Sequence, residues 1–247
     1  MLSLYTYQVD GNIKVMMAAH VDDIMWSAEP EYEYLVEDFL KQLVIKKQEE
    51  GYFRFCGREY RQDFNTFDIT VTCKDNTEKI LPINYNRKLR GLDDPATAGE
   101  IAQMRSVIGS LAWIARQVRP ENSYNCSKLK SVVGSALVKH LEQCNKVLKD
   151  TISTSERGLF FKAGVFKFEE ALLITITDAS WAGEVICYDK LIFPRRSQYG
   201  YFTCLGVPDL WDGDVGYIHF IGWKSAIIKR LCRSTFRAET QAMTYGT

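Results

Sequence analysis

Val15-Met16-Met17-Ala18-Ala19-His20-Val21-Asp22-Asp23-Ile24-Met25-Trp26 sets two adjacent acids between two apolar runs. Short apolar runs on either side of a polar break read as two strands and their hairpin turn. Paired carboxylates at such a tip are costly, because like charges repel and burial disfavours the charged form. A divalent cation removes both costs, since Mg²⁺ is held by one or two carboxylates together with substrate phosphates. The same residues also suit a plain acidic turn, where Asp side chains bond back to the backbone. On these residues alone both readings stand.

Outward from the hairpin, the first quarter of the chain is strand-rich. Residues 2–9 and 13–20 flank Asp10-Gly11-Asn12, a Gly-containing hairpin turn. A short strand over 24–27 follows, and Pro30 opens a helix to about Leu43. Its acids Glu31, Glu33, Glu37 and Asp38 gather toward the positive N-terminal end. Strands are expected over 52–60 and 67–73, which gives an α+β arrangement with one sheet face covered. Residues 75–96 are loop-rich. Beyond them Ile101, Met104, Ile108, Leu111 and Ala115 recur at helical spacing. Thr97 three residues before Glu100 matches a capping box, and Arg119-Pro120 ends that helix. Helices over 121–134 and 136–152 follow, and His140 reads as a packed helix residue with no ligand partner one turn away. Strand signals return over 159–161, 172–177, 200–205 and 215–223, and residues 233–245 read as a closing helix.

Composition is that of a folded globular chain: 247 residues, 46% hydrophobic and 25% charged. Lys plus Arg and Asp plus Glu each total 31, so net charge exerts no global pull on a nucleic acid, and local basic clusters must carry that argument. The seven cysteines are odd in number, scattered, and never at the spacing of a zinc knuckle or redox pair. Free thiols in a reducing compartment are the expectation. Neither an apolar span of about 20 residues nor a basic-then-apolar leader is present. An intracellular protein, in cytoplasm or nucleus and without a membrane partner, is expected.

Three segments taken together carry a resemblance. The hairpin 15–27, with Tyr52-Phe53-Arg54-Phe55-Cys56-Gly57-Arg58-Glu59-Tyr60 after it, resembles the aromatic-Val-Asp-Asp hairpin and following strand of copia-type LTR-retrotransposon reverse transcriptases. Met104-Arg105-Ser106-Val107-Ile108-Gly109-Ser110-Leu111-Ala112-Trp113, running on to Arg119-Pro120-Glu121, is similar to a later stretch of the same Pol polyproteins. Asp178-Ala179-Ser180-Trp181-Ala182-Gly183 resembles the opening of their RNase H domain. Ser197-Gln198-Tyr199-Gly200-Tyr201, Trp223-Lys224-Ser225 and Ser234-Thr235-Phe236-Arg237-Ala238-Glu239 follow at family-like distances.

The resemblance implies three units: the C-terminal part of a polymerase palm (1–90), with an antiparallel sheet and helix; a helical thumb or connection (91–157); and the start of an RNase H-like mixed sheet with a helix (158–247). It implies Asp22 and Asp23 as polymerase carboxylates, and Asp178 and Glu239 as RNase H carboxylates, each pair serving Mg²⁺ in a two-metal site. His20 takes the position of an aromatic residue. With Trp223, Lys224, Ser225 and Arg233 it is a candidate nucleic-acid contact. The implied partners are an RNA template, a DNA primer and an RNA–DNA hybrid, together with upstream and downstream parts of the polyprotein. The remaining acids of both sites are expected in those flanks, so little polymerase or RNase H activity is expected of this chain alone. A non-catalytic nucleic-acid-binding remnant and a decayed gene product are the alternatives.

Overall fold

The computed structural model describes residues 2–88, 90–188 and 191–246, with side chains described outside 184–195. Strands β1 (Leu2–Val9), β2 (Asn12–His20) and β3 (Asp23–Ala28) form an antiparallel sheet in the order β1-β2-β3. Two tight hairpins connect them, because Val9 pairs with Asn12 and His20 with Asp23. At the first, Asp10 (φ 50°) and Gly11 (φ 80°) are both left-handed. That is the backbone hand that lets a two-residue loop follow the strand twist, and Asp-Gly is its preferred sequence. Helix α1 (Glu33–Leu40) follows a short 3-10 turn and buries Val36. It is shorter than the helix expected to Leu43.

The strand expected over 52–60 is a hairpin. β4 (Tyr52–Phe55) and β5 (Arg58–Gln62) pair around Cys56 (φ 51°) and Gly57 (φ 75°). A Cβ on Gly57 would meet the Trp113 ring at 3.0 Å, so both the backbone conformation and the close approach require glycine. β6 (Ile69–Thr72) joins β5, and helix α2 (Lys74–Glu78) begins two residues later.

The middle of the chain is helical: α3 (Ala98–Gln117), α4 (Ser123–Val132) and α5 (Val138–Ser153). The capping box forms as the residues predict. The Thr97 Oγ1 accepts from the Glu100 N–H at 3.3 Å, and the Glu100 carboxylate accepts from the Thr97 N–H at 2.8 Å. Met104, Leu111, Leu129, Leu141 and Leu148 lock the three helices into one core. Val71 and Cys73 pack with Ile114 and Val118, tying β6 to α3. His140 is a packed helix residue whose Nδ1 accepts from the Leu137 N–H at 3.0 Å.

The C-terminal part begins by completing the second sheet. β7 (Leu159–Phe161) pairs with β6, so the order is β4-β5-β6-β7. The expected division at residue 158 therefore runs through a sheet, and the expected 1–90 unit contains two. β8 (Leu172–Tyr188), β9 (Leu191–Gly206) and β10 (Ile218–Ile227) form a third sheet in the order β10-β9-β8, closed by helix α6 (Thr235–Gly246). Its described strands pair antiparallel throughout, where a mixed sheet was the expectation. Six cysteines are free thiols, and Cys187 lies outside the described side chains.

His219 clasps the third sheet to the second. Its Nε2 accepts from the Lys162 N–H at 3.1 Å, between the rings of Phe161 (5.3 Å) and Phe166 (5.1 Å). Burial holds its pKa below the ordinary histidine value. The unfolded chain therefore binds this proton more readily, and the clasp's stability is present above the unfolded value of about 6.5 and is lost as pH falls from there through the lower folded value. The thermal midpoint should drop more steeply between about pH 7.5 and about pH 5.5 in the wild type than in His219→Gln, whose amide oxygen accepts without titrating. Parallel pH profiles would refute this role.

Candidate metal and nucleic-acid sites

The sequence-marked hairpin places both acids at its tip. Asp22 and Asp23 are exposed, and Asp23 opens β3 opposite the half-buried His20. Val21, the first of the two loop residues, has φ 56° and is 86% exposed. A β-branched residue in left-handed backbone is a genuine outlier, costing of order 1–3 kcal/mol. The strain serves no packing, because the Val21 side chain is in solvent. What it does set is the hand of the turn, and with it the aim of the adjacent carboxylates. Two neighbouring hard oxygen donors at an exposed tip fit half of an Mg²⁺ site, the rest of the shell coming from water and phosphate.

The second marked pair is not assembled in this way. In the third sheet Asp178 lies opposite Gly200, and Gly200 opposite Ser225. Side chains alternate across a sheet. Ile176, Asp178, Phe202, Trp223 and Ser225 therefore share one face, and Ala179, Tyr199, Tyr201 and Lys224 the other. The two faces have different covers. Helix α4 packs on β8 and β10, while Ala238 and Ala242 of α6 pack with Ala179 and Tyr199, and Tyr245 stacks on Tyr199 at 4.5 Å. Glu239, half-buried on α6, thus belongs to the face opposite Asp178. The pair does not fit a shared Mg²⁺ site. Among the described residues no three His, Cys, Asp or Glu side chains converge.

Trp223 and Ser225 are tied into the structure. The Trp223 Nε1–H donates to the Ala115 carbonyl at 2.7 Å, an acceptor in the last turn of α3 that helical bonding leaves open. The Gln198 amide donates to Ser225 Oγ at 2.7 Å and Ser127 Oγ at 3.1 Å. These bonds dock the third sheet on the helical block. Lys224 is exposed on the other face, its Nζ 5.9 Å from the Tyr199 ring centre. Arg233 is exposed just before α6. Of the marked nucleic-acid contacts, Lys224 and Arg233 remain available to phosphates.

Three polar residues that sequence reasoning gave no role are more deeply placed: Glu59 (6% exposed), Arg119 (4%) and Gln198 (5%). Glu59 accepts from the Lys74 N–H at 2.8 Å, the Asp75 N–H at 3.1 Å and Thr72 Oγ1 at 2.9 Å. Arg119 donates to the Thr154 carbonyl at 2.9 Å and Thr154 Oγ1 at 2.7 Å, just beyond α5. All three stand inside the family-like segments, which was the available signal.

With this geometry in place, comparison with known proteins points to a transposon-derived origin. A Saccharomyces cerevisiae protein named for transposon Ty5-1 is 27% identical over 218 residues, covering 82% of this chain. The match takes in 66% of that protein, so the chain spans just under two thirds of its length. No family model matches the chain, and no solved structure does. No helix among the described residues is long and apolar enough to cross a membrane.

Proposed function

We propose that this chain is a segment of a copia-type retrotransposon Pol polyprotein: the C-terminal part of a reverse-transcriptase palm, its thumb or connection helices, and the opening of an RNase H domain. The observation that carries the reading is the tight hairpin turn at Val21-Asp22, which holds two adjacent carboxylates, Asp22 and Asp23, at an exposed tip. The similarity to a transposon protein supports the same reading.

In this reading Asp22 and Asp23 hold Mg²⁺ beside a DNA primer on an RNA template. The ion supplies charge neutralisation for phosphoryl transfer. The chain's own contribution is to keep two carboxylates fixed at one end of a hairpin, with His20 flanking them on β2. For the C-terminal unit the non-catalytic alternative is favoured, because Glu239 and Asp178 lie on opposite sheet faces. There Lys224 and Arg233 act as phosphate contacts to an RNA–DNA hybrid, and no hydrolytic step is assigned.

Calorimetric titration with Mg²⁺ tests the hairpin. Asp22→Asn should weaken binding by about tenfold, which is about 1.4 kcal/mol, while Lys146→Gln on α5 leaves it unchanged. Equal Mg²⁺ affinity in wild type and Asp22→Asn would overturn the metal reading. Since Asp22 is exposed, the substitution threatens no packing.

A further inference from the structure

The sheet face that carries Asp178 is not sealed by α4. Between the start of α4 and the sheet lies an open groove of about 360 Å³, lined by Tyr124, Ile176, Asp178, Phe202, Phe220 and Trp223 among others. Grooves of a few hundred Å³ with apolar walls and a few polar groups are the usual form of small-ligand sites. Four of these residues are aromatic, and Phe202 and Phe220 meet edge to face at 5.4 Å. Asp178 is exposed at this groove and has no hydrogen-bond or ion-pair partner among the described residues. The geometry points to a nucleobase site selective for guanine.

The chemistry narrows the ligand in two steps. Aromatic walls favour a flat π-system, since bases stack on such side chains whatever their sequence. A carboxylate accepts hydrogen bonds and donates none. Guanine alone among the four RNA bases offers two adjacent donors, N1–H and the N2 amino group, to both oxygens at once. Adenine and cytosine place a ring acceptor beside their amino group, and uracil flanks its single N–H with carbonyls. Each of these sets a lone pair against the carboxylate. At the α4 wall the Lys128 Nζ lies 5.7 Å from the Tyr124 ring centre, a cation suited to the phosphate of the same nucleotide. The groove is separate from the Asp22–Asp23 hairpin and needs no metal, so the two readings fail independently.

Equilibrium dialysis of the whole chain against 5′-GMP, AMP, CMP and UMP, with EDTA present, tests the assignment. GMP should be retained about tenfold more tightly than the other three, as expected for one bidentate base contact. Asp178→Asn should bring GMP to the level of AMP. Tyr124→Ala should weaken all four nucleotides while keeping their order. No retention of GMP, equal affinities in the wild type, or an undiminished GMP preference in Asp178→Asn would each overturn it. So would tighter binding of N-acetylarginine amide than of GMP, because arginine offers a similar donor fork.

Discussion

Replacing Arg119 with methionine should cost about 3 kcal/mol of stability, in the range for losing one member of a buried charged network. The guanidinium is buried and reaches two places, the end of α5 and the turn before α4. It donates to the carbonyls of Thr151 and Thr154 and to Thr154 Oγ1 at the end of α5, and to the carboxylate of Glu121 before α4. A cation at a helix C-terminus is favourably placed against the helix dipole, and here it also satisfies carbonyls that helical bonding leaves open. Methionine fills much of the volume and satisfies none of them. Glu121 is half exposed, at 51%, so water recovers its share and the carbonyls account for most of the loss. For a chain of this size about 3 kcal/mol lowers the thermal midpoint by roughly 6–12 °C. Arg119→Lys should fall between wild type and Arg119→Met, because one ammonium cannot reproduce a planar fork. A midpoint within about 2 °C of wild type in Arg119→Met would show that the cap carries no weight.

The bonds made by Arg119 bear on what a motif means. Arg119-Pro120, the Gly57-Arg58-Glu59 strand and Trp223-Lys224-Ser225 all belong to segments that carry the resemblance. In the structure Arg119, Glu59 and Trp223 are fasteners: one caps a helix end, one anchors a helix start, and one joins a sheet to a helix. A polar residue in such a segment marks a buried polar group in need of partners as readily as it marks a reacting group. The acids at Asp22 and Asp23 differ in kind, since both are exposed at the tip of a tight hairpin and no buried polar group depends on them.

What the residues disclosed follows the range of the interactions involved. The Thr97–Glu100 capping box and the Asp10-Gly11 hairpin depend on neighbours within four positions, and both formed as read. The turn at Cys56-Gly57 was missed because cysteine gives no signal for left-handed backbone, and the flanking aromatics read as one strand. Pairing of β7 with β6 joins residues separated by the whole helical block, and no local pattern announces it. The candidate site divides in the same way. Asp22 and Asp23 are adjacent in sequence, so their meeting was legible. Whether Asp178 and Glu239 meet depends on the register of β8 and on the face that α6 covers, which is set by Ala238 and Ala242 packing on Tyr199. A one-residue change of register would reverse the face of every side chain on the strand.

Glu59→Ala should be the second large loss, about 2–4 kcal/mol, because it orphans several buried donors together. The carboxylate stands at the start of α2, where the Lys74 and Asp75 N–H groups lack helical acceptors. It also accepts from Thr72 Oγ1 on β6, and the Arg54 guanidinium lies 3.3 Å away on β4. Alanine leaves those N–H groups facing a small cavity. Arg54 keeps Asp75 as a partner at 2.6 Å, so the damage should centre on β6 and the first turn of α2. That locality separates this role from general loss of packing. Amide exchange at Lys74 and Asp75 should accelerate more than exchange at Leu141 or Cys144 in the core of α5, which opens only with the wider fold. Glu59→Gln keeps one acceptor oxygen and should retain part of the protection. Unchanged exchange at Lys74 and Asp75 in Glu59→Ala would show that the buried carboxylate is not what holds α2 to the sheet.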